Sequence, residues 1–127
     1  MYDEQVRTFC FIKPPKNLNP KIFKDPISHI DIVATILDLL NLPSPSTFQG
    51  ISIYAKNKRE HIYMYTRSLV GQIGIIQWPW KLLVTYYPRK GMELYNLEQD
   101  KDEKKNLFGI SLYGAKAKEL YKKLGLV

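Results

Sequence analysis

The chain has 127 residues, of which 45% are apolar, and a formal net charge of +7 at pH 7. This length and apolar content exclude a disordered chain and fit one globular domain with its own core. No apolar stretch approaches the roughly 18 residues of a membrane-spanning helix, and the first residues lack a signal-peptide core, so the sequence predicts a soluble chain and leaves its compartment open.

The first predicted element is a strand from Val6 to Ile12, which reads VRTFCFI. Such a nearly continuous apolar run, followed by Lys13 and two prolines, is typical of a parallel strand buried on both faces. Cys10 lies inside it and is predicted to be a packed apolar residue, and a single cysteine excludes an intrachain disulfide. The sequence supplies no second strand-and-helix unit of this kind. Residues 1–55 are therefore predicted to be the last strand, loop and helix of a larger α/β domain.

A helix is predicted to begin near Ser28, because Ser28 and Asp31 have the spacing of a capping box. It should end before Pro43. Two adjacent apolar faces leave only a narrow polar stripe, which consists of Asp31, Thr35 and Asp38. We therefore expect most of the helix surface to be buried. In a chain that lacks the rest of the domain, the apolar face from Ile30 to Leu40 would be exposed, or a homodimer would hide it.

Residues 56–127 are predicted to form an antiparallel four-stranded sheet packed against a C-terminal helix, which makes the isolated chain α+β. The predicted strands are rich in Ile, Val, Tyr and Trp and comprise His61 to Arg67, Gln72 to Trp78, Trp80 to Tyr87 and Glu93 to Leu97. The helix is predicted from Ser111 to Leu124, with one apolar face that contains Tyr113, Ala117, Leu120, Tyr121 and Leu124. That face is the natural cover for the sheet.

The positive charge does not by itself indicate a nucleic-acid partner. Lys and Arg are scattered from Arg7 to Lys123, and the longest basic run is a pair. A solvated basic surface is the interpretation we favour, and an anionic glycan or a lipid headgroup would suit the charge as well as a nucleic acid does.

Patterns of catalytic residues are absent from the sequence. Neither of the two histidines, His29 and His61, stands in a metal-ligand pattern. Asp100, Asp102 and Glu103 lack the spacing of an EF-hand loop and favour a capped turn. No G-x-S-x-G occurs, and the loop from Gly71 to Gly74 lacks the residues of a phosphate cradle.

Five short motifs, in order over about residues 2–107, resemble the C-terminal part of sulfatases of the alkaline-phosphatase-like superfamily. They are Arg7 to Pro14, the helix His29 to Leu40 with Gly50-Ile51-Ser52-Ile53 after it, Trp80-Lys81, Glu93-Leu94-Tyr95-Asn96-Leu97, and the acidic turn Asp100 to Glu103 with Asn106-Leu107. The sequence departs from the family pattern at Ala34, Ile51, Asn96 and Lys101, where Pro, Arg, Asp and Pro are usual.

The resemblance implies a parent enzyme that hydrolyses sulfuric esters with a formylglycine nucleophile and a divalent metal, calcium. The family forms its nucleophile in a C/S-x-P-x-R motif, which Cys10 to Pro14 does not match, and its metal ligands precede every residue matched here. We therefore predict no catalytic or metal-binding residue in this chain. The chain alone is predicted to be inactive and to need the missing N-terminal catalytic portion as its partner.

Candidate substrate contacts are His29, Arg67, Trp78, Trp80 and Lys81, since tryptophans stack on sugars and cations meet anionic groups such as a sulfated glycan. The alternative is that most of these residues are structural, and we expect at least one of the two tryptophans to be in the core. Two alternatives stay open: a phosphoester hydrolase or phosphoglycerol transferase of the same superfamily, and a stand-alone basic and aromatic module that binds an anionic glycan or a partner protein.

Overall fold

In a computed structural model of the chain, residues 2–13, 15, 19, 21–67 and 69–125 are described. They fall into two compact units. The sheet unit comprises Met1–Thr8 and His61–Val127, and the helix unit comprises Phe9–Glu60. The predicted domain boundary after residue 55 concerns the whole protein and stays a prediction.

The sheet unit contains the predicted antiparallel sheet, with strands in the order β1-β2-β3-β4, and this prediction is confirmed. Its elements are helix α1 (Asp3–Val6), strands β1 (Ile62–Arg67), β2 (Gly71–Gln77), β3 (Trp80–Tyr87) and β4 (Gly91–Asn96), a 3-10 turn (Ser111–Tyr113) and helix α3 (Gly114–Lys123). Side chains alternate between the two faces of each strand, so a different set of residues packs on each face of the sheet.

Helix α3 covers one face of the sheet, which we call the helix-covered face. Ile75, Leu82 and Leu94 are buried there against Ala117 and Leu120. The predicted apolar face of the C-terminal helix is thus confirmed, because Tyr113, Tyr121 and Leu124 also pack against this core. On the opposite face, Leu83, Tyr95 and Leu97 are buried, and Val6 of α1 and Met64 pack against them.

The helix unit contains the predicted helix as α2 (His29–Leu39). The backbone amide of Ser28 donates to Asp31 Oδ2 at 2.9 Å, so the carboxylate of the predicted capping box is in place. At the other end, Asn41 has a φ of 54°, a left-handed conformation that ends helices.

The expectation that α2 is buried on most of its surface is wrong for this chain. The buried residues are Asp31, Ala34 and Thr35, two of which belong to the predicted polar stripe. The apolar face is largely exposed, with relative accessibilities of 47% for Ile30, 49% for Val33 and 43% for Ile36. The polar stripe is buried because the following segment of chain hydrogen-bonds to it, as described below.

The strand predicted from Val6 to Ile12 is also absent from this structure. Val6 ends helix α1, and residues 7–13 have no regular secondary structure. Phe9 and Phe11 are exposed, and so is Cys10, which was predicted to be packed. A strand needs backbone partners, and the described residues provide no neighbouring strand for this segment. Pro14 lies outside the described residues. In the described part of the chain, no helix is long and apolar enough to cross a membrane.

Candidate functional site

The five predicted contact residues are divided between the two units. His29 is exposed at the first position of α2 in the helix unit. Arg67, Trp78, Trp80 and Lys81 belong to the sheet unit, where each lies in a different environment. Their role as substrate contacts stays a prediction.

Trp80 and Lys81 are adjacent in sequence but point to opposite faces of β3. The Trp80 ring packs against the helix-covered core and lies 5.5 Å from the ring of Tyr113. Lys81 is fully buried on the opposite face. Trp78 precedes the strand and is 52% exposed. The sheet therefore does not bring these three side chains to one place.

The buried Lys81 ammonium is held by two carboxylates. Its Nζ lies 2.8 Å from Glu103 Oε1 and 3.0 Å from Asp3 Oδ1. The Asp3 backbone amide also donates to Glu103 Oε2. A buried cation needs such pairing, because removal of its charge from water is costly. This cluster attaches α1 and the acidic turn to the sheet.

The acidic turn is built by side-chain caps, as the sequence indicated. The Asp100 carboxylate accepts hydrogen bonds from the backbone amides of Lys104 at 3.1 Å and Lys105 at 2.8 Å. Asn106 Oδ1 accepts from the amides of Leu94 at 3.0 Å and Phe108 at 2.9 Å. These sulfatase-like motif residues therefore satisfy backbone groups of the turn.

A groove opens on the helix-covered face, beyond the part that α3 covers. Its floor is a row of residues from all four strands, Tyr65, Ile73, Val84 and Met92, which the register places side by side. Phe108 and Tyr121 form one rim. Arg67 and Lys90 bring two positive charges to the other end, and among the described lining residues there is no carboxylate.

Tyr86 is fixed at the basic end of this groove. Its hydroxyl donates to the Thr66 carbonyl at 3.3 Å. The hydrogen bond with Tyr65 raises the pKa of Tyr86, and the positive charge of Arg67 acts in the opposite direction. A Cβ on Gly71 would lie 2.5 Å from the Tyr86 ring, so a side chain at this position would displace the ring. The strand register shifts between Gly71 and Gln72, so that Gly71 pairs with Tyr87 while Gln72 pairs with Thr85.

In the helix unit, Asp31 is the centre of a polar cluster that we call the latch. Its Oδ1 accepts from the amide of Ile51 at 2.8 Å and from Arg59 Nη2 at 2.6 Å, and its Oδ2 accepts from Arg59 Nε at 2.8 Å. Burial alone would raise the pKa of Asp31, but the hydrogen bonds from Arg59, Ile51 and Ser28 outweigh burial and lower it. The carboxylate is therefore charged at neutral pH.

The rest of the polar stripe of α2 binds the same segment. Thr35 Oγ1 accepts from the amide of Ile53 at 3.1 Å, and the Ser52 hydroxyl donates to Asp38 Oδ2. A Cβ on Gly50 would lie 2.2 Å from the Ile30 carbonyl oxygen, so the glycine allows the segment to approach the helix. The motif Gly50 to Ile53 is thus a structural attachment to α2.

A metal centre is not evident in the described part of the chain, where no three His, Cys, Asp or Glu side chains lie close enough together to hold an ion. The groove residues Tyr65, Tyr86 and Lys90 were not predicted from the sequence. The position of Lys90 could have been predicted, because in a four-stranded meander the turns after β1 and after β3 lie at the same end of the sheet.

Comparisons with known proteins agree with the sequence resemblance. The family described as N-sulphoglucosamine sulphohydrolase, C-terminal, matches residues 1–126. An N-acetylglucosamine-6-O-sulfatase of Bacteroides thetaiotaomicron is 29% identical in an alignment 136 residues long, which covers 94% of this chain and 24% of that protein. An uncharacterized sulfatase of Schizosaccharomyces pombe is 30% identical over 121 residues, which cover 80% of this chain and 22% of that protein.

Solved structures show the same relationship. One protein, solved in complex with its substrate D-glucosamine-2-N,6-O-disulfate, has a TM-score of 0.66 at 27% identity and covers 76% of this chain and 22% of that chain. A 2-O GAG sulfatase has a TM-score of 0.63 at 21% identity and covers 75% and 23%, which is a likeness of fold alone. The chain spans about a quarter of the length of these relatives.

Proposed function

We propose that this chain, which belongs to the N-sulphoglucosamine sulphohydrolase C-terminal family, is the C-terminal part of an enzyme that hydrolyses a sulfuric ester on an amino sugar. The family match over residues 1–126 is the observation that carries the proposal. The relative named N-acetylglucosamine-6-O-sulfatase, whose match covers 94% of this chain, supports the choice of an amino sugar.

Part of the contribution of this chain to such an enzyme would be structural. The residues that resemble sulfatase motifs are engaged within their own units: Asp31 with Arg59 and with backbone amides, and Glu103 with Lys81. Groups that are committed to buried ion pairs are not available for proton transfer or nucleophilic attack. We therefore assign them to fold completion.

Hydrolysis of a sulfuric ester needs an activated nucleophile and stabilisation of the developing negative charge. The family supplies these with formylglycine and a calcium ion, which stabilises anionic oxygens when bound. The described residues do not fit such a metal, since they contain no cluster of three ligands. We assign both groups to the part of the relatives that this chain does not match, and we expect the chain alone to be inactive.

The exposed apolar face of α2 supports a contact with that remaining part. Ile30, Val33, Ile36 and Leu40 are each 43–59% exposed along one side of the helix. A contiguous apolar face of this kind on a folded unit marks a surface that another element covers. We propose that the missing N-terminal catalytic portion covers it. A homodimer through the same face is the competing arrangement.

A stand-alone binding module is the second candidate, and the basic and aromatic groove of the sheet unit favours it. The two functions predict different enzymology. If the protein is a sulfatase, the complete gene product that contains this sequence will release sulfate from glucosamine 6-sulfate. Glucosamine 6-phosphate is the matched substrate, and preferential release of phosphate would identify a phosphoester hydrolase instead. Binding of sulfated sugars without release of either anion would favour the binding module.

A further inference from the structure

The groove on the helix-covered face combines two properties that suit one kind of ligand. Its floor, Tyr65, Ile73, Val84 and Met92, is apolar and broad enough to involve all four strands. Arg67 and Lys90 stand at one end. An apolar surface with a few charged groups at its edge is the usual composition of a small-ligand site.

One side chain at the basic end, that of Tyr86, is held in place before any ligand binds. Tyr86 is fixed by its hydrogen bond to the Thr66 carbonyl and by its close packing on Gly71. Tyr65 is 62% exposed, so its ring is available for contact. Rigid aromatic residues provide contact area at a low cost in conformational entropy.

The charges at this end are available for an anion. Neither Arg67 nor Lys90 forms an ion pair with a carboxylate of the described residues, whereas Lys81, Lys104, Lys116 and Lys123 each do. A guanidinium can bind two oxygens of a sulfate or carboxylate at once.

We infer that this groove binds a pyranose ring that carries a sulfate group, with the ring against Tyr65 and Tyr86 and the sulfate at Arg67 and Lys90. The choice of a sulfated sugar rests on the proposed function, whereas the apolar floor and the cationic end are properties of the chain itself. A nucleic acid is disfavoured, because its backbone needs a track of several cations and the groove has two.

The test measures binding of a sulfated glucosamine oligosaccharide to the isolated chain by calorimetry, with the desulfated oligosaccharide as the matched ligand. We expect the double variant Arg67→Ala with Lys90→Ala to weaken binding of the sulfated ligand at least tenfold, since charge-assisted hydrogen bonds are lost. Lys118→Ala with Lys122→Ala is the control, because both lysines are exposed on α3 and the net charge changes equally. The control should bind as the unaltered chain does.

A third variant separates stacking from charge. Tyr65→Leu keeps an apolar side chain at an exposed position, and we expect it to weaken binding severalfold while the melting temperature stays unchanged. The inference would be overturned if the double variant at Arg67 and Lys90 and the control double variant at Lys118 and Lys122 lost the same affinity for the sulfated ligand. It would also be overturned if the desulfated ligand, or a single-stranded oligonucleotide, bound as tightly as the sulfated ligand.

Failure of this inference is distinguishable from failure of the proposed function. A complete protein that releases sulfate while the chain shows no sulfate-dependent binding at Arg67 and Lys90 overturns the groove alone. Sulfate-dependent binding at the groove, in a protein that releases no sulfate, supports the groove and overturns the sulfatase assignment.

Discussion

The Arg59 guanidinium binds the Asp31 carboxylate through two nitrogens, with Nη2 at 2.6 Å from Oδ1 and Nε at 2.8 Å from Oδ2. The two residues are 28 positions apart, and their contact attaches the segment after α2 to the first turn of the helix. The Asp31 side chain is only 2% exposed, so this ion pair is shielded from water and from salt.

Removal of the Asp31 charge should destabilise the helix unit. In Asp31→Ala, the half-buried guanidinium and two backbone amides lose their acceptor, and we expect a loss of about 3 kcal/mol. Arg59→Lys keeps the charge but not the paired geometry, so its loss should be smaller, about 1 kcal/mol. Amide hydrogen exchange of α2 measures both. Unchanged protection in Asp31→Ala would show that the latch does not stabilise this unit.

The latch also predicts how the stability of the helix unit depends on pH. The pKa of Asp31 is lower in the folded chain than in the unfolded chain, where it is about 3.9. Its stabilisation is therefore complete above about pH 4 and is lost as the pH falls through the folded pKa. Hydrogen exchange of α2 between pH 7 and pH 3, corrected for intrinsic rates, should show this loss. Asp31→Asn should flatten the profile, and an unaltered acid loss in that variant would assign it to another carboxylate.

Gly50 should tolerate no side chain. A Cβ there would lie 2.2 Å from the Ile30 carbonyl oxygen, so Gly50→Ala must push the segment away from α2, at a cost of about 2 kcal/mol. Gly114→Ala is the matched control, because nothing lies within 4 Å of its Cβ and it belongs to helix α3. That variant should be neutral or slightly stabilising. Equal effects of the two variants on thermal unfolding would contradict the close approach at Gly50.

Lys81 offers a test between a structural and a substrate-binding role. In Lys81→Met, Asp3 and Glu103 lose the cation that pairs with them, and we expect a loss of about 3 kcal/mol in urea unfolding. The additional change Glu103→Gln should restore part of the stability, since one uncompensated charge disappears. If Lys81 contacts substrate instead, Lys81→Met will weaken binding of a sulfated sugar with little effect on unfolding.

The apolar face of α2 should respond differently in the chain and in the complete protein. Ile36 is 43% exposed here, so Ile36→Asp should change the stability of the isolated chain by less than about 1 kcal/mol. In the complete protein, the same change would bury a carboxylate at the proposed contact and cost about 3 kcal/mol or more. Small effects on the stability of both the isolated chain and the complete protein would contradict the proposed contact at this face. Sedimentation of the isolated chain tests whether it forms a homodimer.

Local patterns predicted the elements whose partners lie nearby in the sequence. Short segments rich in Ile, Val, Tyr and Trp, separated by turns, predicted the meander, in which each strand pairs with the next. The capping residues Ser28 and Asp31 likewise predicted the start of α2. The periodicity of the C-terminal helix identified Leu120 as a core residue.

The wrong predictions concern distant partners. Apolar content alone made Val6 to Ile12 appear to be a strand, but a strand also needs neighbours that the described residues do not supply. The sequence predicted that the apolar faces of α2 are buried, whereas the buried face includes its polar stripe, which backbone amides some 20 positions later bind. The register shift at Gly71, near Tyr86, is likewise not revealed by strand periodicity.

A complementation assay of sulfate release tests the proposed role of this chain most directly. The isolated chain, the remainder of the complete protein, and their mixture are each given calcium and glucosamine 6-sulfate. We expect no turnover by the isolated chain, and we expect the mixture to be more active than the remainder alone, because the chain completes the fold of the enzyme. Sulfate release by the isolated chain, or a remainder whose activity the chain does not change, would contradict it.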